Sequence, residues 1–230
     1  MDESTNPPQL PSPLPEENEE LDSLLEGVFR DLADACHVLS IEKSLTPRFP
    51  EIRRRGVGVE FFKWIQQSCD VRLAQSLAKV FDSIRSRYET ASLPLLLDHT
   101  RSNASNIEIV HRETILGVVA TGEGEAKDAE LNIAFADALE RRLEEVNDAR
   151  SKIRRFRDKH LAHREMIPAD FPLPAHAEYE RVVEVALGVA DDLASAYTQS
   201  TRLPFEIRTG PALSNLLDEL GVETRSANPW

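Results

Sequence analysis

The stretch RRFRDKHLAHRE, residues 154–165, sets Arg154, Arg155, Arg157, Lys159 and Arg164 around His160 and His163 in a chain whose formal net charge is −13. Arginine's planar guanidinium matches the oxygens of a phosphate, so the cluster supplies local positive potential for a phosphate backbone. The same cations disfavour protonation of a neighbouring imidazole, which keeps a histidine neutral and able to accept a proton near neutral pH. In RNA, the 2′-hydroxyl beside each phosphate is an internal nucleophile. Cleavage there needs a base, an acid and stabilisation of developing charge, and requires no metal. The residue types therefore point to binding or cutting RNA.

Spacing constrains this chemistry. Six helical steps separate Arg157 from His163, about 600° of rotation and about 9 Å of rise, which leaves the side chains about 120° apart. They converge on one substrate where the helix frays or ends. Asp158 follows the arginine directly. The same loose spacing recurs at Arg155 and His160, and RDLADACH places Arg30 before His37 on an ordinary helical pattern. A plainer reading stands beside the chemical one: Lys and Arg near a helix C-terminus simply complement its dipole. Spacing leaves both open. A cation shared by His160, His163 and Glu165 lacks a convincing further ligand, and Cys36 and Cys69 stand apart without the paired spacing of zinc sites, so no metal or cofactor is expected.

The elements that must carry these residues read as helices. Leu21, Leu24, Leu25, Val28, Leu32, Ala35 and Leu39 recur at three- and four-residue steps, which predicts a helix ending before TPRFPE, where Pro47 and Pro50 interrupt it. RRRGVGV reads as a connection. A second helix is predicted from Glu60 over roughly 25 residues, a length that suits a bundle. Phe61, Ile65, Cys69, Leu73, Leu77, Val80, Phe81 and Ile84 form its inner side, and Trp64 is expected in the core as well. In SLPLLLDH, Ser92 is placed to cap a short helix with Pro94 early in it. Ile107, Val110, Ile115 and Val118 or Val119 pattern a further segment, closed by TGEGEAKDAE.

The longest helix is predicted over residues 126–163, along Leu139, Leu143, Val146, Ala149, Ile153 and Phe156. Continuing that stripe reaches His160 and then His163, so the basic dozen is the polar extension of a core seam. Pro168, Pro172 and Pro174 end it in the loop MIPADFPLPAH. A last long helix begins near Ala177, and PALSNLLDELG forms a short tail helix with Pro211 at its start and Gly221 as its stop, expected to fold back on the bundle.

Composition agrees with an all-α fold: glycine and aromatics are sparse, while Ala, Leu, Glu and Arg abound. At 230 residues the chain suits one ordinary domain with appendages. Residues 1–18, Pro-rich and then acidic, read as a disordered arm, residues 19–201 as the helical bundle, and residues 202–230 as a tail. Asp2, Glu3, Glu16, Glu17, Glu19, Glu20, Asp22 and Glu26 precede the first basic residue, so the body is only mildly acidic. That balance argues against indiscriminate nucleic-acid binding but leaves room for a local basic cluster. No stretch approaches the roughly 20 apolar residues of a membrane helix, and the N-terminus lacks a basic start followed by an apolar run. A cytoplasmic protein without a membrane partner is expected.

RRFRDKHLAHRE resembles the signature of the HEPN superfamily, in which an arginine, a polar residue, four others and a histidine mark the active site of a helical bundle. The polar position matches Asp158, and RDKHLAH looks like the abortive-infection (AbiU2-like) branch. DVRLAQSLAKVFDSIRSRYETASLPLLLDH is similar to that branch's second helix and the leucine-rich helix after it, so the resemblance spans roughly residues 20–200. It implies an HEPN-like bundle with long antiparallel helices, forming a homodimer whose two motifs meet in one cleft and cleave RNA without metal. Arg157 would then stabilise the phosphorane charge, His163 would move the 2′-hydroxyl proton, and Asp158 would orient or tune them. Arg154, Arg155, Lys159, His160 and Arg164 would hold the RNA. A setting in phage defence or a toxin–antitoxin pair is implied, often beside an antitoxin of the nucleotidyltransferase type. Other superfamily members bind RNA, nucleotide or protein without cutting. The acidic arm, residues 101–125 and the C-terminal tail fall outside the recognised pattern.

Overall fold

A computed structural model of the chain describes residues 15–56, 58–82, 90–119, 126–162, 173–198 and 209–222. Every regular element among them is helical. The first, α1 (Glu16–Leu45), begins inside the stretch whose composition reads as arm, with Glu16, Glu17 and Glu19 complementing the positive end of its dipole. Asn18 fixes this start. Fully buried, it donates through Nδ2 to the carbonyls of Glu108 (2.9 Å) and Tyr197 (3.0 Å) and accepts from the Glu108 amide (2.9 Å). Residues 1–14 of the expected arm lie outside the described residues.

Leu21, Leu25, Val28, Leu32, Ala35 and Leu39 are buried along α1, as their spacing predicts. Against this stripe pack α3 (Val59–Val80) and α8 (His176–Tyr197), while α4 (Leu93–Ser102), α5 (Arg112–Val119) and α6 (Asp128–Glu144) pack beside them. One continuous core runs through these helices and α7 (Asn147–Phe156). The result is an all-α, HEPN-like bundle. In α4 the expected cap is present: Ser92 Oγ accepts from the Leu95 amide at 3.4 Å and donates to the Asp82 carbonyl at 3.0 Å.

The prolines of TPRFPE end α1 without straightening the chain. Pro47 lies in a 3-10 turn (Thr46–Arg48) and Pro50 in the first turn of α2 (Phe49–Arg55), positions where a missing amide hydrogen costs nothing. Arg53–Arg55, which read as connection, are therefore helical. The actual connection rests on Gly56 and Gly58, with φ of 69° and 70°, in the left-handed region that favours glycine.

Two inner positions expected on α3 are instead outward. Phe61 and Trp64 are 58% and 63% exposed, their rings stacked at 6.4 Å between centroids. Leu73, at the centre of the buried face, lies about 120° round the helix from Phe61 and about 180° from Trp64, so the phase of the helix turns both rings toward solvent. Ile84 lies outside the described residues.

The single helix predicted over residues 126–163 is divided. After α6 the chain turns at Glu145 and Val146, restarts as α7, and then widens into a π-helical turn (Arg157–Ala162). Val146 inserts into the core at the break, and Asn147 and Asp148, poor residues for a helix interior, fall at the new start.

Residues 103–111 are tied into the bundle by buried amides. Asn132 donates to the carbonyls of Ala104 (2.9 Å) and Ile107 (3.3 Å) and accepts from the Tyr197 hydroxyl (2.9 Å), while the amides of Val110 and His111 reach the Ala196 carbonyl. At the C-terminal end, α9 (Thr209–Glu219) folds back as expected. Leu217 and Val222 join Leu45, Phe49 and Ile52 in a second small core, with Leu216 and Leu220 left exposed.

Candidate phosphate-binding site at the end of α7

Buried Ile153 and Phe156 fasten α7 to the core, which leaves its other face to Arg150, Arg154 and Arg157 at four- and three-residue steps. The π-helical turn opens at Arg157. Such turns insert one residue into a helix and recur at functional sites. Their altered phase departs from that of an ideal α-helix over Arg157–Ala162.

Arg157 is held by carboxylates. Its Nε donates to Asp158 Oδ1 at 2.8 Å, its Nη2 lies 2.7 Å from the same oxygen, and Asp82 at the end of α3 stands 4.0 Å from Nη1. Asp158 also reaches Arg154, with 4.0 Å between Oδ2 and Nε, and so bridges the two arginines. The bond from Ser92 to the Asp82 carbonyl links the start of α4 to the same corner. Arg155 and Lys159 are exposed. His160 is placed by its backbone in the π turn, whereas His163, Arg164 and Glu165 lie outside the described residues.

Beside Arg157 is a cleft of about 80 Å³ lined by Asp82, Asn147, Arg150, Ser151, Arg154 and Arg157 against the ring of Phe81. Arg150, which the sequence reading passed over, is half-buried with its guanidinium 4.3 Å from the centre of the Phe81 ring. Its Nη1 donates to the Leu143 carbonyl at 3.4 Å, and its Nε is buried without an acceptor. Burial, reinforced by Arg154, lowers its pKa from the ordinary arginine value. Its place seven residues before Arg157 on one helix face was a signal available in the sequence. Asp82, brought in from another helix, left none.

A second titratable cluster lies at a distance in the chain. Glu42 of α1 is buried against Asp70 of α3, with His176 Nδ1 3.0 Å from Glu42 Oε2 and His176 Nε2 3.4 Å from Glu180 Oε1. Burial first, and then the Asp70 carboxylate, push Glu42 up to about 8. Burial likewise pushes the Cys36 and Cys69 thiols up to about 11, so both stay protonated. Among the described residues, no three His, Cys, Asp or Glu side chains are grouped to hold a metal ion, and no helix is long and apolar enough to cross a membrane.

The described residues form an all-α, HEPN-like bundle. The chain belongs to the AbiU2 family of that superfamily, whose profile matches residues 18–209. The match runs through residues 101–125, which the recognised motifs had left out, and it ends at the first residue of α9. No curated protein and no solved structure matches the chain.

Proposed function

We propose that the protein is a metal-independent endoribonuclease of the HEPN type, acting as a toxin in phage defence or a toxin–antitoxin pair. The observation that carries this reading is the Asp158-held guanidinium of Arg157, set with Arg154 on a cationic cleft where the π-helical turn begins. His163 takes the proton of an RNA 2′-hydroxyl, whose oxygen attacks the adjacent phosphorus. Arg157 meets the charge that grows on the phosphoryl oxygens, and the 5′-oxygen leaves with a proton taken from solvent water, giving a 2′,3′-cyclic phosphate. Asp158 fixes the direction of the guanidinium. Arg155, Lys159, His160 and Arg164 extend the contact along the strand.

A homodimer related by twofold symmetry would bring the same helix end from each copy together and double a modest positive cluster into a groove. The acidic remainder of the surface would then steer RNA toward that groove. An antitoxin protein, of nucleotidyltransferase type, is the partner this setting calls for, and the cytoplasm is the compartment.

The flanking of Arg157 by Asp82 and Asp158 favours one second reading, a catalytically silent module that binds RNA, nucleotide or a protein partner. Cleavage of a panel of single-stranded RNA and tRNA in EDTA, by wild type beside His163→Ala, separates the two. Metal-independent cutting that vanishes in the variant and leaves 2′,3′-cyclic ends is expected. Equal cutting by His163→Ala would overturn the assignment, and a folded dimer that binds without cutting supports the silent module.

A further inference from the structure

Phe61 and Trp64 are the two large aromatic side chains exposed among the described residues, and they stand one turn apart on the outer face of α3 with their rings stacked. Phe62 meets Phe61 edge-on at 5.5 Å between centroids and packs on the small core of Leu45, Phe49 and Ile52, which mounts the ridge firmly. Rings exposed side by side gain from leaving water, and the indole N–H adds a hydrogen-bond donor at the same place. Through Gly56 and Gly58 the ridge adjoins the last turn of α2, where Arg53, Arg54 and Arg55 are exposed. One carboxylate, Glu51, pairs with Arg54 and Arg55, so α2 keeps a surplus of positive charge.

A proline-rich strand suits such a ridge. Polyproline II leaves its carbonyls unpaired and loses little entropy on binding, and aromatic surfaces with a donor between the rings grip it. The chain carries a segment of this kind: PPQLPSPLP, residues 7–15, has five prolines in nine residues, with Pro8 and Pro11 at the three-residue repeat of that helix. Acidic residues flank it, Asp2 and Glu3 before and Glu16, Glu17, Glu19 and Glu20 after. Glu16, Glu19 and Glu20 are exposed at the start of α1, so the segment complements the arginines of α2 in charge.

The ridge is out of reach of these prolines within one copy. α1 and α3 run antiparallel, with Asp31 paired to Lys79 and Asp34 to Arg72, and Ile65 packs beside Leu45 at the far end of α1. Trp64 therefore stands about 40 Å from Glu16, at a rise of about 1.5 Å per helical residue. From Pro7 to Glu16 the chain spans about 28 Å as polyproline II and about 32 Å fully extended. We propose that the Phe61–Trp64 ridge binds residues 7–15 of a second copy. In a twofold pair with antiparallel α1 helices, the start of each α1 lies beside the ridge of the other chain, and both proline segments dock at once. This exchange holds whether or not the arginine cleft cuts RNA.

Trp64 and Trp230 are the two tryptophans of the chain, so Trp230→Phe leaves Trp64 as the one emitter in the full-length protein. Adding Pro8→Ser, Pro11→Ser and Pro13→Ser to that chain should move its emission to longer wavelength, as the ridge returns to water. A donor chain with its prolines intact, carrying Trp64→Leu and Trp230→Phe, emits no tryptophan fluorescence; titrated into the serine variant, it should restore the shorter wavelength saturably. Circular dichroism checks that every chain keeps its helices, and the first comparison needs no change at Trp64. Equal emission with and without the prolines overturns the docking. A difference that excess donor does not restore puts the segment on its own copy and overturns the exchange. Restoration by a donor that itself carries the three serines means that another surface covers the ridge, and overturns the proline segment as the occupant.

Discussion

Asp158 grips the guanidinium of the residue before it, with Arg157 Nε and Nη2 at 2.8 and 2.7 Å from the one oxygen Oδ1. Neighbours in a regular α-helix point about 100° apart, so this contact is a local consequence of the backbone at the start of the π turn. The carboxylate has two opposed effects. It holds Arg157 in one direction, and it cancels part of the charge that a phosphate would meet.

Asp158→Ala should separate those effects. Removing one negative charge at the surface of the cleft is worth about 1 kcal/mol, so RNA should bind about fivefold more tightly. A released arginine loses its fixed geometry, and kcat should fall by about tenfold or more. Binding to a 2′-deoxy analogue and single-turnover cleavage measure the two separately. Weaker binding with unchanged kcat would show that Asp158 does not position Arg157.

Tyr197→Phe should cost about 1–3 kcal/mol, because it leaves Asn132 Oδ1 buried without its donor. Asn132→Ala should cost more, since the carbonyls of Ala104 and Ile107 lose their partner too. Urea denaturation gives the stability, and amide exchange at Val110 and His111 reports loosening of the segment they anchor to Ala196. A neutral Tyr197→Phe would mean that the network contributes nothing net.

Glu42 makes stability depend on pH. Its folded pKa, pushed up to about 8 from 4.5, lies above the unfolded value, so the protonated form favours folding. Its contribution is complete below about pH 4.5 and lost as pH rises through about 8. Asp70, raised by burial, acts in the same direction, while Lys43, His176 and Glu180 supply the surrounding charges. Between pH 5.5 and 8.5 the unfolding free energy of the wild type, from urea denaturation, should fall by an amount on the order of 1–3 kcal/mol, and Glu42→Gln should flatten the fall. An equal slope in the variant would place the linkage elsewhere.

Arg48→Ala should undock the C-terminal helix. The buried guanidinium reaches the carbonyls of Ser44 (2.9 Å) and Val222 (3.2 Å), Ser214 Oγ (3.2 Å) and Asp218 Oδ1 (2.8 Å), and so links α1 to α9. Limited proteolysis should cut within 209–222 about tenfold faster or more, with the main bundle still folded, as expected for loss of a buried charged network. Unchanged proteolysis would assign the docking to Leu217 and Val222 alone.

What the sequence determined by itself was local. The apolar stripe of α1, the stop before TPRFPE, the Ser92 cap and the return of the tail helix follow from spacing and residue type over a few turns. The HEPN signature and the pairing of Arg157 with Asp158 are local in the same sense, being neighbours in the chain. Tertiary structure decided whatever depends on what lies opposite. Trp64 is apolar enough for a core, but the phase of α3 against α1 and α7 turned it outward. Burial of Val146 divided a stripe that periodicity read as continuous. Asp82 reached Arg157, and Phe81 received Arg150, because α3 ends against α7. Helix periodicity fixes which side chains share a face; only the packing of helices fixes which charges meet across them and which donor is left unpaired.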